Sequence, residues 1–226
     1  MRIIFLNIWK GKMLEEVSRF IESHKDDTDI FCLQEVKGDC INVVRNILPD
    51  FYDSFFEIQK APNEEFAQAT FIRKNLRCSK TETLLVDDVD KGVVLYTEID
   101  LGGKTLHLCN IHGVAHPEKG DNPARLLQSQ TIIDFMHGKE GLKIVGGDVN
   151  VSPDTKTYNM FIEQGYRELV KDFNIKTTRN HFAWDRFPDN PLYYSDYVYV
   201  SKDVPVKSLI VPDVEVSDHL PIILDF

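Results

Sequence analysis

An apolar run, Leu142–Val145, leads directly into Gly146-Gly147-Asp148-Val149-Asn150. Side chains alternate along a strand, so an aspartate and an asparagine two residues apart share one face. At the carboxyl end of a core strand that placement suits phosphate or metal chemistry better than packing, although Gly-Asp also makes ordinary turns. Three other strand ends in the chain carry matching polar groups, and this recurrence constrains the fold.

Two stretches share one plan. The apolar run Arg2–Leu6 leads to Asn7-Ile8-Trp9-Lys10-Gly11, then to an amphipathic helix with Met13, Leu14, Val17, Phe20 and Ile21 on one stripe. A strand over Asp29–Leu33 follows and ends in Gln34-Glu35. In the second stretch, Thr105–Cys109 leads to Asn110-Ile111-His112-Gly113, a helix from about Asn122 to His137, and the strand ending at Asp148 and Asn150. Strand, polar tip, helix, strand, polar tip: each copy reads as a crossover unit with its chemistry at the strand ends.

Between the copies the pattern is β, over Phe51–Ile58, Phe66–Arg73, Thr81–Val86 and Val93–Ile99. A hairpin at Leu101-Gly102-Gly103-Lys104 joins the last of these to the strand carrying His112. Ser152-Pro153 predicts an N-cap and first-turn proline for a helix ending near Gly165. Loop follows, then strands over Tyr193–Val200, Val206–Val211 and Leu220–Phe226. No low-complexity segment or linker divides the 226 residues, so residues 1–226 are expected to form one domain. Two half-sheets with helices outside predict one layered α/β sandwich.

A net charge of −10, from 26 basic and 36 acidic residues, argues against a protein that coats duplex nucleic acid. It leaves room for a local basic rim or a carboxylate-rich metal site. Cys32, Cys40, Cys78 and Cys109 have no C-x-x-C spacing and read as reduced, partly buried thiols. Ile3–Leu6 is too short for a signal peptide and no run reaches membrane-spanning length, so a cytoplasmic monomer is expected.

The last third supplies two more polar tips. Ser195-Asp196-Tyr197-Val198-Tyr199-Val200 buries an aspartate at the head of a strongly β sequence, and Ser217-Asp218-His219-Leu220-Pro221 sets Asp beside His before the final strand. A buried carboxylate needs a partner, and His219 is the economical choice for Asp196. Such a pair favours imidazolium, which can hydrogen-bond a phosphate oxygen.

In order along the chain, N-I-W-K-G, L-Q-E-V, N-I-H-G, G-G-D-V-N, S-D-Y-V and S-D-H-L-P-I resemble the motifs of the endonuclease/exonuclease/phosphatase superfamily, over the whole chain. The resemblance implies that family's four-layer sandwich and Mg²⁺-dependent hydrolysis of phosphoester bonds, with Mn²⁺ as a substitute. It makes Glu35 the main metal ligand, with Asn7 and Asp218 beside it. Asp148 is implied as the base for the attacking water, and Asn150 as the holder of that water or of a phosphate oxygen. His219, oriented by Asp196, is implied to stabilise charge on the phosphoryl oxygens. His112 matches a histidine that some branches place near the leaving group. Arg125, in A-R-L-L-Q, resembles the family's R-x-x-Q and is expected to contact substrate, whereas Gln68 stands where many members carry asparagine.

Each residue also has a plainer alternative. Asn7 fits a strand-end cap, Glu35 a solvated carboxylate, Asp148 a turn, and Asp196–His219 a structural pair; six matches in order favour the site. His107 is read as a packed or surface histidine. Zinc at His112 and His116 is disfavoured because Gly113 and Pro117 spoil a helix. The aromatic residues of His181–Tyr194 (Phe182, Trp184, Phe187, Tyr193, Tyr194) either wall a cleft, with Trp184 stacking on a base or sugar, or simply pack. Arg73-Lys74-Asn75-Leu76-Arg77 is the strongest local basic run. Three functions remain open: a nuclease-like phosphodiesterase on single-stranded or end-containing nucleic acid, a hydrolase of a small phosphorylated metabolite or lipid headgroup, and an inactive binding module. The intact acidic set argues against the third.

Overall fold

The computed structural model describes residues 1–61, 64–86, 92–116, 118–186, 188 and 192–226, with the main chain only at 58–61 and 64–66. One sheet runs in the order β11(Ser208–Ile210), β12(Ile222–Asp225), β1(Arg2–Asn7), β2(Ile30–Gln34), β4(Glu64–Arg73), β3(Phe51–Ala61). The other runs β5(Arg77–Leu84), β6(Val93–Asp100), β7(Thr105–His112), β8(Leu142–Asp148), β10(Asp196–Val200), β9(Arg167–Glu168). Two mixed six-stranded sheets with helices outside them are the four-layer sandwich that the resemblance implies.

The two crossover units are present. β1 pairs parallel with β2 through helix α1(Leu14–His24), and β7 pairs parallel with β8 through α3(Pro123–Met136). All other strand pairs are antiparallel. Continuous apolar runs serve these central strands because both faces are covered. In β1, Ile3 and Phe5 join the core between the sheets, while Ile4 and Leu6 pack beneath α1 and α2(Cys40–Ile47) with Val17, Phe20, Ile21, Ile41 and Val44. Their alternation is the period of two expected of a strand.

The glycine pair before Asp148 is required by how closely the sheets approach. A Cβ on Gly146 would lie 2.6 Å from the Phe5 ring, and Gly147 has φ +125° with Gln34 and the Ile111 carbonyl against it. Across this contact Gln34 donates to Asn110 Oδ1 at 2.7 Å, and Asn110 donates to the Ala69 carbonyl and Thr70 Oγ1 at 3.1 and 3.3 Å. These bonds make Asn110 a polar tie between sheets. Gln68 is fully buried and donates to the Val93 carbonyl at 2.8 Å, which keeps it inside the sandwich.

Several boundaries differ from expectation. The first edge strand of the second sheet is Arg77–Leu84 rather than Thr81–Val86, because pairing with β6 recruits polar residues that carry no hydrophobic signal. The helix after Asn150 is α4(Lys156–Glu163), capped by Thr155 and not by Ser152. Asp121 holds its first turn from outside, accepting from Lys156 N and Thr157 N at 2.8 Å each. The Leu101–Lys104 hairpin is as expected, closed by Leu101 N donating to the Lys104 carbonyl at 2.8 Å. Short helices α5(Leu169–Asp172) and α6(His181–Arg186) complete the chain. Among the described residues no helix is long and apolar enough to cross a membrane.

Candidate active site

Asn7 closes β1, His112 closes β7 and Asp148 closes β8, so both parallel pairs present their carboxyl ends at one mouth of the sandwich. Asp196 starts β10 directly opposite Asp148 in register. Glu35 follows β2 with φ +55°, a left-handed backbone that a glutamate rarely adopts. Residues distant in sequence thereby meet. Asn7 Nδ2 donates to Glu35 Oε1 and to Asp148 Oδ2, each at 3.1 Å. His219 Nε2 stands 3.7 Å from Asp148 Oδ2 and 3.8 Å from Asp218 Oδ1, while His219 Nδ1 lies 2.9 and 3.0 Å from the two Asp196 oxygens.

Asp148 is buried with both oxygens engaged. Oδ1 accepts from Ser195 Oγ at 2.6 Å and from Asn150 N at 3.1 Å. Burial alone would raise this carboxyl, but His219, His112, Lys119 and Arg179 outweigh it and hold the group below the ordinary carboxylate range. Burial and Arg179 push the His219 imidazole down, and Asp196, Asp148 and Asp218 together push it above its ordinary value. The result is a fixed carboxylate facing an imidazole whose protonated form is favoured.

Asn150 also has a left-handed backbone, φ +62°, which asparagine tolerates better than most residues. Its Nδ2 donates to the Gly113 carbonyl at 3.3 Å and its Oδ1 accepts from the Lys119 ammonium. Burial lowers Lys119 to about 8, with Asp148 acting the other way. Arg179 donates to Asp218 Oδ2 at 2.8 Å and to the Asp218 carbonyl at 3.0 Å.

The mouth opens into a cleft of about 360 Å³. Glu35, Asp148 and Asp218 lie at its floor, and Lys10, Lys12, Lys119, Arg179 and Arg186 line it, with Trp9 and Leu192 as apolar walls. Lys12 Nζ sits 4.1 Å from the Trp9 ring centroid.

Four expected roles change on these contacts. Asn7 presents its amide nitrogen to the carboxylates, while its oxygen accepts from Trp9 N at 2.9 Å; it holds the acidic groups in place instead of offering a ligand oxygen. Arg125 is 1% exposed and all its donors are committed: Nε and Nη2 to the Val114 carbonyl, Nη2 also to His116, and Nη1 to the Glu118 and Gly120 carbonyls. It clamps the main chain at Val114, His116, Glu118 and Gly120, which leaves its guanidinium no free donor for a substrate. His112 is buried behind the acidic groups, with Nε2 3.7 Å from Glu35 and 3.9 Å from Asp148, and does not line the cleft. Trp184 donates to the Leu192 carbonyl at 3.2 Å and packs 5.2 Å from Tyr193, so it supports the wall from behind. Phe187 lies outside the described residues. His107 is packed, as expected, between Tyr96 OH at 2.7 Å and the Glu140 carbonyl at 3.0 Å.

Other cleft groups escaped the sequence reading. Arg179 sits in Thr177–Asn180, a stretch without periodicity, and Lys119 carries no spacing signal. Lys10 and Lys12 flank the N-I-W motif, where adjacency was the available clue.

The donor set fits a divalent cation. Three carboxylates converge on one cleft, and hard oxygen donors are what Mg²⁺ and Mn²⁺ prefer. Ligating atoms of Asp148, Asp196 and His219 also lie within 4.8 Å of one another, but Asp196 is committed to His219 Nδ1; Glu35 is the partly exposed acid, and Asp218 lines the cleft with one oxygen on Arg179.

One mouth of the two-sheet sandwich thus gathers acidic groups, a buried Asp–His pair and several basic side chains. The chain belongs to the endonuclease/exonuclease/phosphatase family, matched over residues 4–219, and is accordingly a metal-dependent phosphoric ester hydrolase. No curated protein sequence matches it. Its fold is similar to that of the human Nocturnin catalytic domain, solved with bound sulfate, at 18% identity and TM-score 0.78 over 99% of this chain and 92% of that one. A humanised D. rerio TDP2 gives 16% and 0.77 over 99% and 97% of the two chains. A mannosyl-6-phosphatase from Bacteroides thetaiotaomicron gives 18% and 0.74 over 100% and 98%.

Proposed function

We propose that the cleft hydrolyses a phosphodiester of nucleic acid, single-stranded or at an end, with Mg²⁺ held by Glu35 and Asp218. The observation that carries this reading is the set of basic side chains Lys10, Lys12, Lys119 and Arg186 lining the cleft beside its acidic groups, on a chain whose net charge is −10. Basic groups gathered at one cleft of an acidic protein select an anionic ligand locally, and several separate cations suit several phosphates. Bound there, a divalent cation supplies positive charge at the phosphoryl oxygens.

The residues then divide the work. Asp148, ionised and fixed by Ser195 and the Asn150 main chain, orients and deprotonates the attacking water. Asn150 holds that water or a phosphoryl oxygen. His219, oriented by Asp196, which also favours its protonated form, donates to the oxygen where charge accumulates. His112 stands behind Glu35 and Asp148, 3.7 and 3.9 Å from their oxygens, and helps to place them.

A second reading, a small phosphorylated metabolite or headgroup, is favoured by the modest cleft of about 360 Å³. The test is Mg²⁺-dependent hydrolysis of single-stranded and duplex oligonucleotides, phosphomonoesters and headgroup phosphodiesters. Preference for oligonucleotides supports the first reading; turnover confined to phosphomonoesters or headgroups replaces it with the second.

A further inference from the structure

We propose that Lys119 contacts a non-bridging oxygen of the scissile phosphoryl group, and that Arg125 is its positioning residue. This rests on the reading of the cleft as a phosphoester site, and it assigns a partner that neither the metal ligands nor the Asp–His pair supplies.

Lys119 lines the cleft beside Asn150 and Asp148, and its ammonium donates to Asn150 Oδ1. An ammonium has three donors, and among the described residues that of half-buried Lys119 has one hydrogen-bond partner, a neutral amide oxygen, which is poor compensation for the water it gives up. A phosphoryl oxygen arriving at Asn150 would meet the remaining donors, and its negative charge would repay the desolvation.

The supporting loop is built to hold that ammonium still. Residues 115, 116, 118 and 120 are exposed, so this stretch has little core of its own. Arg125, buried at the start of α3, gives all its N–H groups to the carbonyls of Val114, His116, Glu118 and Gly120. Gln128, one turn on, donates to the His112 carbonyl at 3.3 Å, and the Lys119 carbonyl accepts from Ser152 N at 2.8 Å. Lys119 is therefore anchored from α3 on one side and from the segment after Asn150 on the other. The A-R-L-L-Q motif acts on substrate through this loop.

The experiment measures binding of inorganic phosphate by calorimetry, with Mg²⁺ present, alongside phosphodiester turnover and thermal unfolding. Lys119→Met, which keeps the stem and removes the charge, is expected to weaken phosphate about ten- to a hundredfold with an unchanged melting temperature. Lys119→Arg should restore most of that affinity, and the turnover of both variants should follow it. Arg125→Lys should weaken phosphate in the same direction, and adding Lys119→Met to it should cost no more than Lys119→Met alone. Equal phosphate affinity in wild type and Lys119→Met overturns the proposal, as does a wild type that binds no phosphate. Equal losses in the Met and Arg variants, with a lowered melting temperature, would mean that Lys119 only braces Asn150, and also overturn it. Additive losses with Arg125→Lys overturn the positioning role. Because phosphate binding is read directly, a wild type that binds phosphate but hydrolyses no phosphoester refutes the hydrolase reading and leaves the Lys119 contact intact.

Discussion

If His219 and Asp196 act as one unit, removing both should cost little more than removing His219 alone. His219 Nδ1 lies 2.9 and 3.0 Å from the two Asp196 oxygens, and both residues are 3% exposed, so water does not substitute for either partner. A buried hydrogen bond between charged groups is worth about 1.5–3 kcal/mol. Asp196→Asn, which keeps shape but removes charge, should therefore raise the barrier by about 2 kcal/mol. His219→Ala removes the donor to the phosphoryl oxygen, at about 3 kcal/mol. Independent effects would sum to about 5 kcal/mol, several thousandfold in rate at about 1.4 kcal/mol per factor of ten. In a single unit, Asp196 has nothing left to orient once His219 is gone. The double variant should then be slower by only about a hundred- to a few hundredfold. Single-turnover hydrolysis at saturating Mg²⁺ reads these barriers without product release. A double variant showing the full sum refutes the coupling.

Glu35→Gln removes a charged oxygen from the cleft floor and should weaken Mg²⁺ or Mn²⁺ at least about tenfold, seen as a rightward shift of activity against metal concentration. Gly146→Ala places a Cβ 2.6 Å from the Phe5 ring and should lower stability by about 1–3 kcal/mol in chemical denaturation. Arg2 hydrogen-bonds Asp225 through Nε and Nη2 at 2.9 and 3.0 Å and holds that carboxyl below its ordinary value. A depressed carboxylate stabilises the fold above its unfolded pKa of about 4, and the contribution disappears as pH falls through the lower folded value. Asp225→Asn should thus cost about 0.5–1 kcal/mol at neutral pH, with the gap to wild type closing in acid unfolding.

What could be read from the chain follows the physics of each signal. Strands with both faces buried are continuous apolar runs, so β1, β2, β7 and β8 stood out, and with them the polar tips at Asn7, Glu35, His112 and Asp148. The edge strand β5 is paired through its main chain while most of its side chains meet solvent, so its first residues looked like loop. Helix α2 is short and rich in β-branched residues, and it gave no clear helical pattern. Thr155 replaced Ser152 as the cap because Asp121, more than 30 residues away, holds the first turn. The same distance hid the cationic side of the cleft. Lys119 reaches Asn150 across 31 residues and Arg179 reaches Asp218 across 39, and no local spacing announces such partners. Arg125 was visible as a motif residue, but its fivefold commitment to main-chain carbonyls is a property of the folded loop alone.

The proposed hydrolysis at the cleft needs Asp148 as the base and a divalent cation held beside it. The direct measurement is phosphodiester hydrolysis by metal-stripped protein titrated with Mg²⁺, in wild type and in Asp148→Asn. The account predicts no turnover in excess chelator and saturable recovery with Mg²⁺ in the wild type. In the Asn variant it predicts a rate lower by about a thousandfold or more, with metal still bound. Full activity in excess chelator, or an Asp148→Asn variant turning over at the wild-type rate, would contradict it.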